Sequence, residues 1–131
     1  MYELQITLVS AAVAALINLW LAMRCGKARF EAGMMHGDGG NPALIKRMRA
    51  QANFVEYTPF ALLLILALEL SGHGGWLLAA TAGVFLVGRI CHGLGMDADE
   101  AGALRKIGMF TTFVPMIGLA IAAALGAFQV I

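Results

Sequence analysis

Long apolar runs separated by short polar stretches organise this chain. A helix rising 1.5 Å per residue needs about 20 apolar residues to cross a bilayer. Residues 4–23, 53–70, 75–95 and 104–130 meet that need and predict four membrane-spanning helices. The second has a polar helical extension that reaches back to Pro42, with Asn41 placed to cap it. The connecting stretches are 24–41, 71–74 and 96–103. The first of these contains MMHGDGGNP, whose glycines stop a helix. The SGHGG turn is so short that it makes the second and third helices antiparallel neighbours.

Composition supports the same class. Hydrophobic residues make up 60% of the 131 and charged residues 13%, against about 25% charged in soluble domains. Mean hydropathy is +0.80. The expected fold is an all-α integral membrane bundle of four transmembrane helices, forming one domain over residues 1–131. A net charge of +1 gives no field for nucleic acid. Cys25 and Cys91 fit neither a disulfide framework nor a paired metal motif, so no metal is expected. The start MYELQITLVS has no basic stretch ahead of its apolar run, so the first span is expected to remain in the mature chain.

The nine Lys and Arg residues set an orientation. Arg24, Lys27, Arg29, Lys46, Arg47, Arg49, Arg89, Arg105 and Lys106 all lie in or beside the first and third connections. Positive residues stay on the cytoplasmic side. Those two connections are therefore expected in the cytoplasm, with both termini and SGHGG on the other side. On the fourth span, Gly118, Ala122 and Gly126 recur every four residues, a spacing that lets another backbone approach closely. Pro115 is expected to kink that helix.

The second helix poses the functional question. At 100° per residue, Arg49, Asn53 and Glu56 share one face, flanked by Gln51 and Tyr57. Counting from Pro42, that face runs from about 10 Å to about 20 Å along the helix, so it descends from the surface into the membrane. Lys46 and Arg47 are explained by snorkelling. Glu56 is not, and an ionisable residue at membrane depth marks a functional site, with Arg49 its expected partner. A structural Arg–Glu tie between helices is the competing reading. On the third span Arg89 and His92 are three residues apart and lie together. Arg24 and Arg105 add cations from the first and fourth helices. Glu56 is then expected to be the one carboxylate set deep in a cationic layer. Arginines suit carboxylates by forked hydrogen bonds, and Glu56 with Asn53 suits an ammonium group. A neighbouring Arg also favours a thiolate. Glutathione has two carboxylates, an amine and a thiol, and fits this chemistry without being singled out by it.

The stretch RAQANFVEYTPF (49–60) resembles the second-helix motif of the MAPEG family, the membrane-associated proteins in eicosanoid and glutathione metabolism. GRICH (88–92) resembles its third-helix motif, and the four-span layout matches over essentially the whole chain. The resemblance implies a homotrimer with glutathione, as co-substrate, bound between subunits near the cytoplasmic face. It implies glutathione contacts from Arg49, Gln51, Asn53, Glu56, Tyr57, Arg89 and His92, and from Arg24 of a neighbouring subunit. Arg105 resembles the arginine that stabilises the thiolate and is the expected catalytic residue. Met96 and Met109 stand where family enzymes often carry tyrosines, and Lys106 where some carry serine.

The leading expectation is a glutathione-dependent membrane transferase or peroxidase acting on a hydrophobic electrophile or lipid hydroperoxide in a bacterial inner membrane. The alternative is a non-catalytic lipid-binding or scaffolding trimer, favoured by the two methionines. A transporter or haem protein using His36, His73 and His92 is a third reading. The expected orientation counts against haem, since it places His73 across the membrane from the other two.

Overall fold

A computed structural model describes residues 3–131. Met1 and Tyr2, where the expectation of a retained N-terminus begins, lie outside the described residues. Four helices follow in order: α1 (Gln5–Ala32), α2 (Pro42–Leu68), α3 (Trp76–Gly95) and α4 (Ala103–Ala127). No strand occurs among the described residues. All four helices are long and apolar enough to cross a membrane.

Helix α1 runs nine residues past the expected end at Met23. Nothing in RCGKARFEA breaks a helix except Gly26, which an interior turn tolerates. The helix stops at Gly33, at φ 64°, a conformation glycine adopts without steric cost. There the amides of Gly33 and Met34 bond back to the carbonyls of Phe30 and Arg29. Arg24, Lys27 and Arg29 are therefore helical. Helix α2 begins as expected, with Asn41 Oδ1 accepting from the Leu44 amide at 3.0 Å and Pro42 in the first turn. Its far end continues through a π-helical turn, Glu69–His73, which closes at Gly72. Helix α4 ends at Ala127 rather than Val130. Pro115 lies buried within it.

Helix α1 packs mainly on α2, and α3 most extensively on α4. Between them Ala14, Ile17 and Leu21 of α1 meet Ala50, Phe54 and Ala61 of α2 and Phe85 and Leu86 of α3. A second cluster joins Ile65 and Leu68 to Leu78, Ala82 and Leu119. Many other large apolar residues, such as Leu16, Phe60, Leu63 and Ile117, face outward. In water this surface would aggregate. In hydrocarbon it is solvated.

One buried acid stabilises the far end of the bundle. Helix α1 has no side-chain cap of its own. Glu69 supplies it from the π-helical turn after α2: Oε1 accepts from the Ile6 amide at 2.9 Å, and Oε2 from the Thr7 amide at 2.7 Å and the Thr7 hydroxyl at 2.6 Å. A carboxylate at a helix N-terminus also meets the positive end of the helix dipole. Glu69→Ala is expected to cost about 2 kcal/mol, since it leaves buried donors unpaired. Amide exchange should rise at Ile6 and Thr7 before it rises elsewhere. Uniform exchange along α1 would refute this capping role.

Candidate functional site

The end of the bundle opposite Glu69 collects the cations. Glycines bring α3 and α4 close enough to shape a site there. A Cβ on Gly108 would lie 2.5 Å from Cβ of His92 and 2.6 Å from its Cα and N. A Cβ on Gly95 would overlap the Arg105 amide nitrogen and lie 2.7 Å from its Cα. These contacts join His92 to α4 and Arg105 to α3. A Cβ on Gly88 would likewise overlap the Thr111 side chain of α4, so the close approach belongs to Gly88, Gly95 and Gly108. The expected stripe behaves differently: nothing lies within 4 Å of a Cβ on Gly118, and Gly126 meets only the His73 ring.

Beside this crossing is a cavity of about 180 Å³ lined by Asn53, Tyr57, Arg89, His92, Arg105, Met109, Thr112 and Phe113. Helical spacing explains the convergence. Asn53 and Tyr57 are one turn apart on α2, as are Arg89 and His92 on α3. Arg105, Met109 and Thr112 follow at i, i+4 and i+7 on α4. Arg89 is 2% exposed and His92 5% exposed. Arg89 Nη1 donates to Asn53 Oδ1 at 2.6 Å, and its Cζ lies 6.0 Å from the Tyr57 ring centroid. Tyr57 packs edge-on against Phe113 at 5.6 Å. The Nε atoms of Arg89 and Arg105 are buried without a hydrogen-bond partner. No carboxylate among the described residues forms a salt bridge with either guanidinium.

Five of the nine predicted site residues thus meet at one cavity: Asn53, Tyr57, Arg89, His92 and Arg105. Thr112 and Phe113 join them and were not anticipated. The α4 spacing from Arg105 was the available signal for Thr112. Of the two methionines, Met109 lines the cavity, whereas Met96 packs against the apolar core.

The remaining residues stand elsewhere. Arg49 and Glu56 face each other at 3.9 Å on the outer surface of α2, with side chains 59% and 54% exposed. The expectation of Glu56 as a deep carboxylate is corrected: it looks away from the cavity. Asn53, rotated about 40° from Arg49 on the same stripe, turns inward instead. Gln51 is half-buried and outside the cavity. Arg24 stacks on Trp20, with Cζ 4.8 Å from the ring centroid. It donates to the Gly93 carbonyl at 3.0 Å and pairs with Asp97, so its guanidinium is engaged within its own chain.

Glu56 is not the only carboxylate in the layer either. The acidic connection MDADE folds back over the cations. Asp97 receives Arg24 and also Arg47, at 2.8 Å, while Asp99 receives Lys46. Hydrogen bonding to Lys46 and its positive charge hold the Asp99 carboxyl below its ordinary range. A carboxyl lowered by folding stabilises above its unfolded pKa and stops doing so as pH falls through the folded one. The connection should therefore stay fastened from about pH 5 to 8 and loosen only in stronger acid. Exposed pairs of this kind contribute little and weaken in salt. Asp97→Ala is expected to speed cleavage at Glu100 by a Glu-specific protease, and high salt should do the same to the wild type. A cleavage rate indifferent to both would show that the pairs do not fasten the connection.

The larger cavity, about 790 Å³, lies at the other end between α3 and α4. Its lining includes Leu68, Trp76, Val84, Val114 and Leu119 and is apolar apart from His73, Thr81 and the backbone of the turn. Polar groups converge in the smaller one, and convergent polar groups are what fix a ligand's orientation.

The sequence matches the model of the MAPEG family over residues 7–125. It is 29% identical over 112 residues to the inner membrane protein YecN of Escherichia coli strain K12, an alignment covering 86% of this chain and 85% of that protein. The same figures hold for YecN of Escherichia coli O6:H1 strain CFT073. With four apolar helices and a family match that spans nearly its whole length, this integral membrane protein belongs to the MAPEG family.

Proposed function

We propose that the chain is a glutathione-dependent membrane transferase or peroxidase acting on a hydrophobic electrophile or lipid hydroperoxide. The observation that carries this reading is the pair of guanidiniums, Arg89 and Arg105, that border one small cavity with no carboxylate among its described lining residues. An uncompensated cation at membrane depth calls for an anion. A cavity of about 180 Å³ is below the roughly 300–1,000 Å³ of whole-ligand pockets. It suits one end of glutathione, the sulfur, and Arg105 stabilises the thiolate there.

The charged ends of the tripeptide then extend from the cavity wall at Asn53 and Arg89 to the outer face of α2 at Arg49 and Glu56. Glu56 and Asn53 hold its ammonium group, and Arg49 and Arg89 its carboxylates. The outward Arg49–Glu56 pair is costly against lipid, which supports a homotrimer whose next subunit covers it and brings Arg24 and Gln51 to the ligand. For that, Arg24 exchanges Asp97 for a ligand carboxylate. The lipid phase delivers the second substrate. The grouping of all nine cations beside the first and third connections supports a cytoplasmic site, and the name of the YecN relatives supports the inner membrane.

The test is calorimetric binding of glutathione to the detergent-purified protein. Thiol conjugation to a generic aryl halide and reduction of a lipid hydroperoxide follow on the same sample. Arg49→Ala and Glu56→Gln are each expected to weaken binding about tenfold or more, as loss of a charged partner does. Wild-type affinity in both variants would overturn their roles. The second reading, a lipid-binding or scaffolding trimer without catalysis, draws on Met109 in the cavity and on the apolar cavity at the other end. Lipid bound without any thiol binding or turnover would establish it instead.

A further inference from the structure

The two kinds of second substrate leave different groups behind. An aryl halide expels a halide, which needs no proton. A hydroperoxide expels an alkoxide, a strong base that must be protonated as it departs. Reduction of a hydroperoxide at the small cavity therefore needs an acid there. The lining offers few. Arg89 and Arg105 hold their protons too tightly. Protonating His92, which is 5% exposed, would add a third cation to a buried site with no carboxylate among its described lining residues. Its ring therefore stays neutral and has no acidic proton to give. The Thr112 hydroxyl is buried and already donates to the Gly108 carbonyl at 2.7 Å. Asn53, Met109 and Phe113 carry no acidic proton.

Tyr57 remains. A phenol is protonated at neutral pH and is a stronger acid than the alcohol to be made. The ring of Tyr57 is held edge-on against Phe113 at 5.6 Å, and Arg89 Cζ lies 6.0 Å from its centroid. Its hydroxyl has no hydrogen-bond partner among the described residues. The guanidiniums that oppose a further cation favour an anion, so they stabilise the phenolate left after proton transfer. We infer that Tyr57 is the acid that protonates the departing alkoxide when glutathione reduces a hydroperoxide at this cavity. This rests on the glutathione reading above, in its peroxidase form.

The glutathione thiolate attacks the terminal oxygen of the hydroperoxide. An S–O bond forms, the O–O bond breaks, and its electron pair stays on the inner oxygen. That oxygen takes the phenol proton, which gives an alcohol and a Tyr57 phenolate. Sulfur is oxidised by two electrons to a sulfenic acid, and the peroxide is reduced by two. A second glutathione condenses with the sulfenic acid to give the disulfide and water. The phenolate regains its proton from water. The negative charge that leaves sulfur thus reappears on the phenol oxygen, in the cavity that Arg89 and Arg105 line.

The experiment compares an aryl halide, a lipid hydroperoxide and a peracid on the detergent-purified protein, each at low concentration with saturating glutathione. Tyr57→Phe keeps the ring against Phe113 and removes only the hydroxyl. Relative to aryl halide conjugation by the same variant, hydroperoxide reduction should fall about 100-fold. Peracid reduction should fall no further than conjugation does, because a carboxylate leaves without a proton. Equal losses of all three rates would overturn the inference, as would a hydroperoxide rate that does not fall. So would a peracid rate that falls with the hydroperoxide rate, or a wild type that conjugates the halide but reduces no hydroperoxide. In each of those cases glutathione binding at the site survives. Absence of wild-type binding at millimolar glutathione would overturn both. If Tyr57→Phe fails to fold, the wild type decides. In heavy water its hydroperoxide reduction should slow more than its conjugation, since only the former moves a proton as the bond breaks. Equal slowing would overturn the inference.

Discussion

Arg89→Met is expected to weaken glutathione binding about 100-fold while leaving the protein about as stable as before. Arg89 is 2% exposed, its Nε is unpaired and its one side-chain hydrogen bond goes to Asn53. Burying a guanidinium on those terms is costly, and replacing a buried charge with an apolar side chain of similar length is often neutral or stabilising. Against that gain stands Asn53 Oδ1, which loses its donor at a cost of about 1–3 kcal/mol. The two terms oppose each other, and melting in detergent should remain within about 1 kcal/mol of wild type. Binding should respond differently. If the guanidinium meets a ligand anion, losing it costs about 3 kcal/mol, roughly 100-fold in Kd. A variant that keeps full affinity would show that Arg89 meets no anion. A variant that unfolds would show that Arg89 is retained for the bundle. The prediction therefore separates a ligand site from a structural tie at the same residue.

The largest loss of stability is expected from Gly108→Ala. The new Cβ would fall 2.5–2.6 Å from three atoms of His92, two of them backbone. Carbon atoms pack best at about 3.5–4.0 Å. Helices α3 and α4 must then separate by roughly 1 Å, and backbone cannot step aside as a long side chain can. The cost is expected to be about 3 kcal/mol. His92 and Arg105 sit on the two sides of this crossing, so the site should widen and glutathione affinity should fall with stability. Gly118→Ala is the control, because open space surrounds that position. It should leave the fold of the chain unchanged, and any effect it has must come from another copy. Equal losses from both substitutions would mean that the crossing at Gly108 is not the tight one.

Much of this protein is written in its sequence, because the bilayer demands long uninterrupted apolar helices with internally satisfied backbones. The four spans, the Asn41–Pro42 start of α2, the gathering of cations at one end and the all-α membrane class followed from that demand. So did the convergence of Asn53, Tyr57, Arg89, His92 and Arg105, since each pair sits at helical spacing and at one level. Helix ends were less legible. Between Met23 and Gly33 no residue forbids a helix, so only the left-handed glycine reveals the stop.

Tertiary packing decided the rest. Asn53 and Glu56 share a stripe in sequence, yet one turns to Arg89 and the other to the outside, because the roughly 60° between them straddles the edge of the α2–α3 contact. Glu69 caps α1 from 62 or more residues away, and Asp97 fastens Arg24 and Arg47. Neither partnership has a local signature. Within the chain the close approach of α3 and α4 falls at Gly88, Gly95 and Gly108, whereas Gly118, of the stripe that spacing marked, faces open space. Periodicity fixes which residues share a face of one helix, but the crossing point of two helices depends on both faces at once.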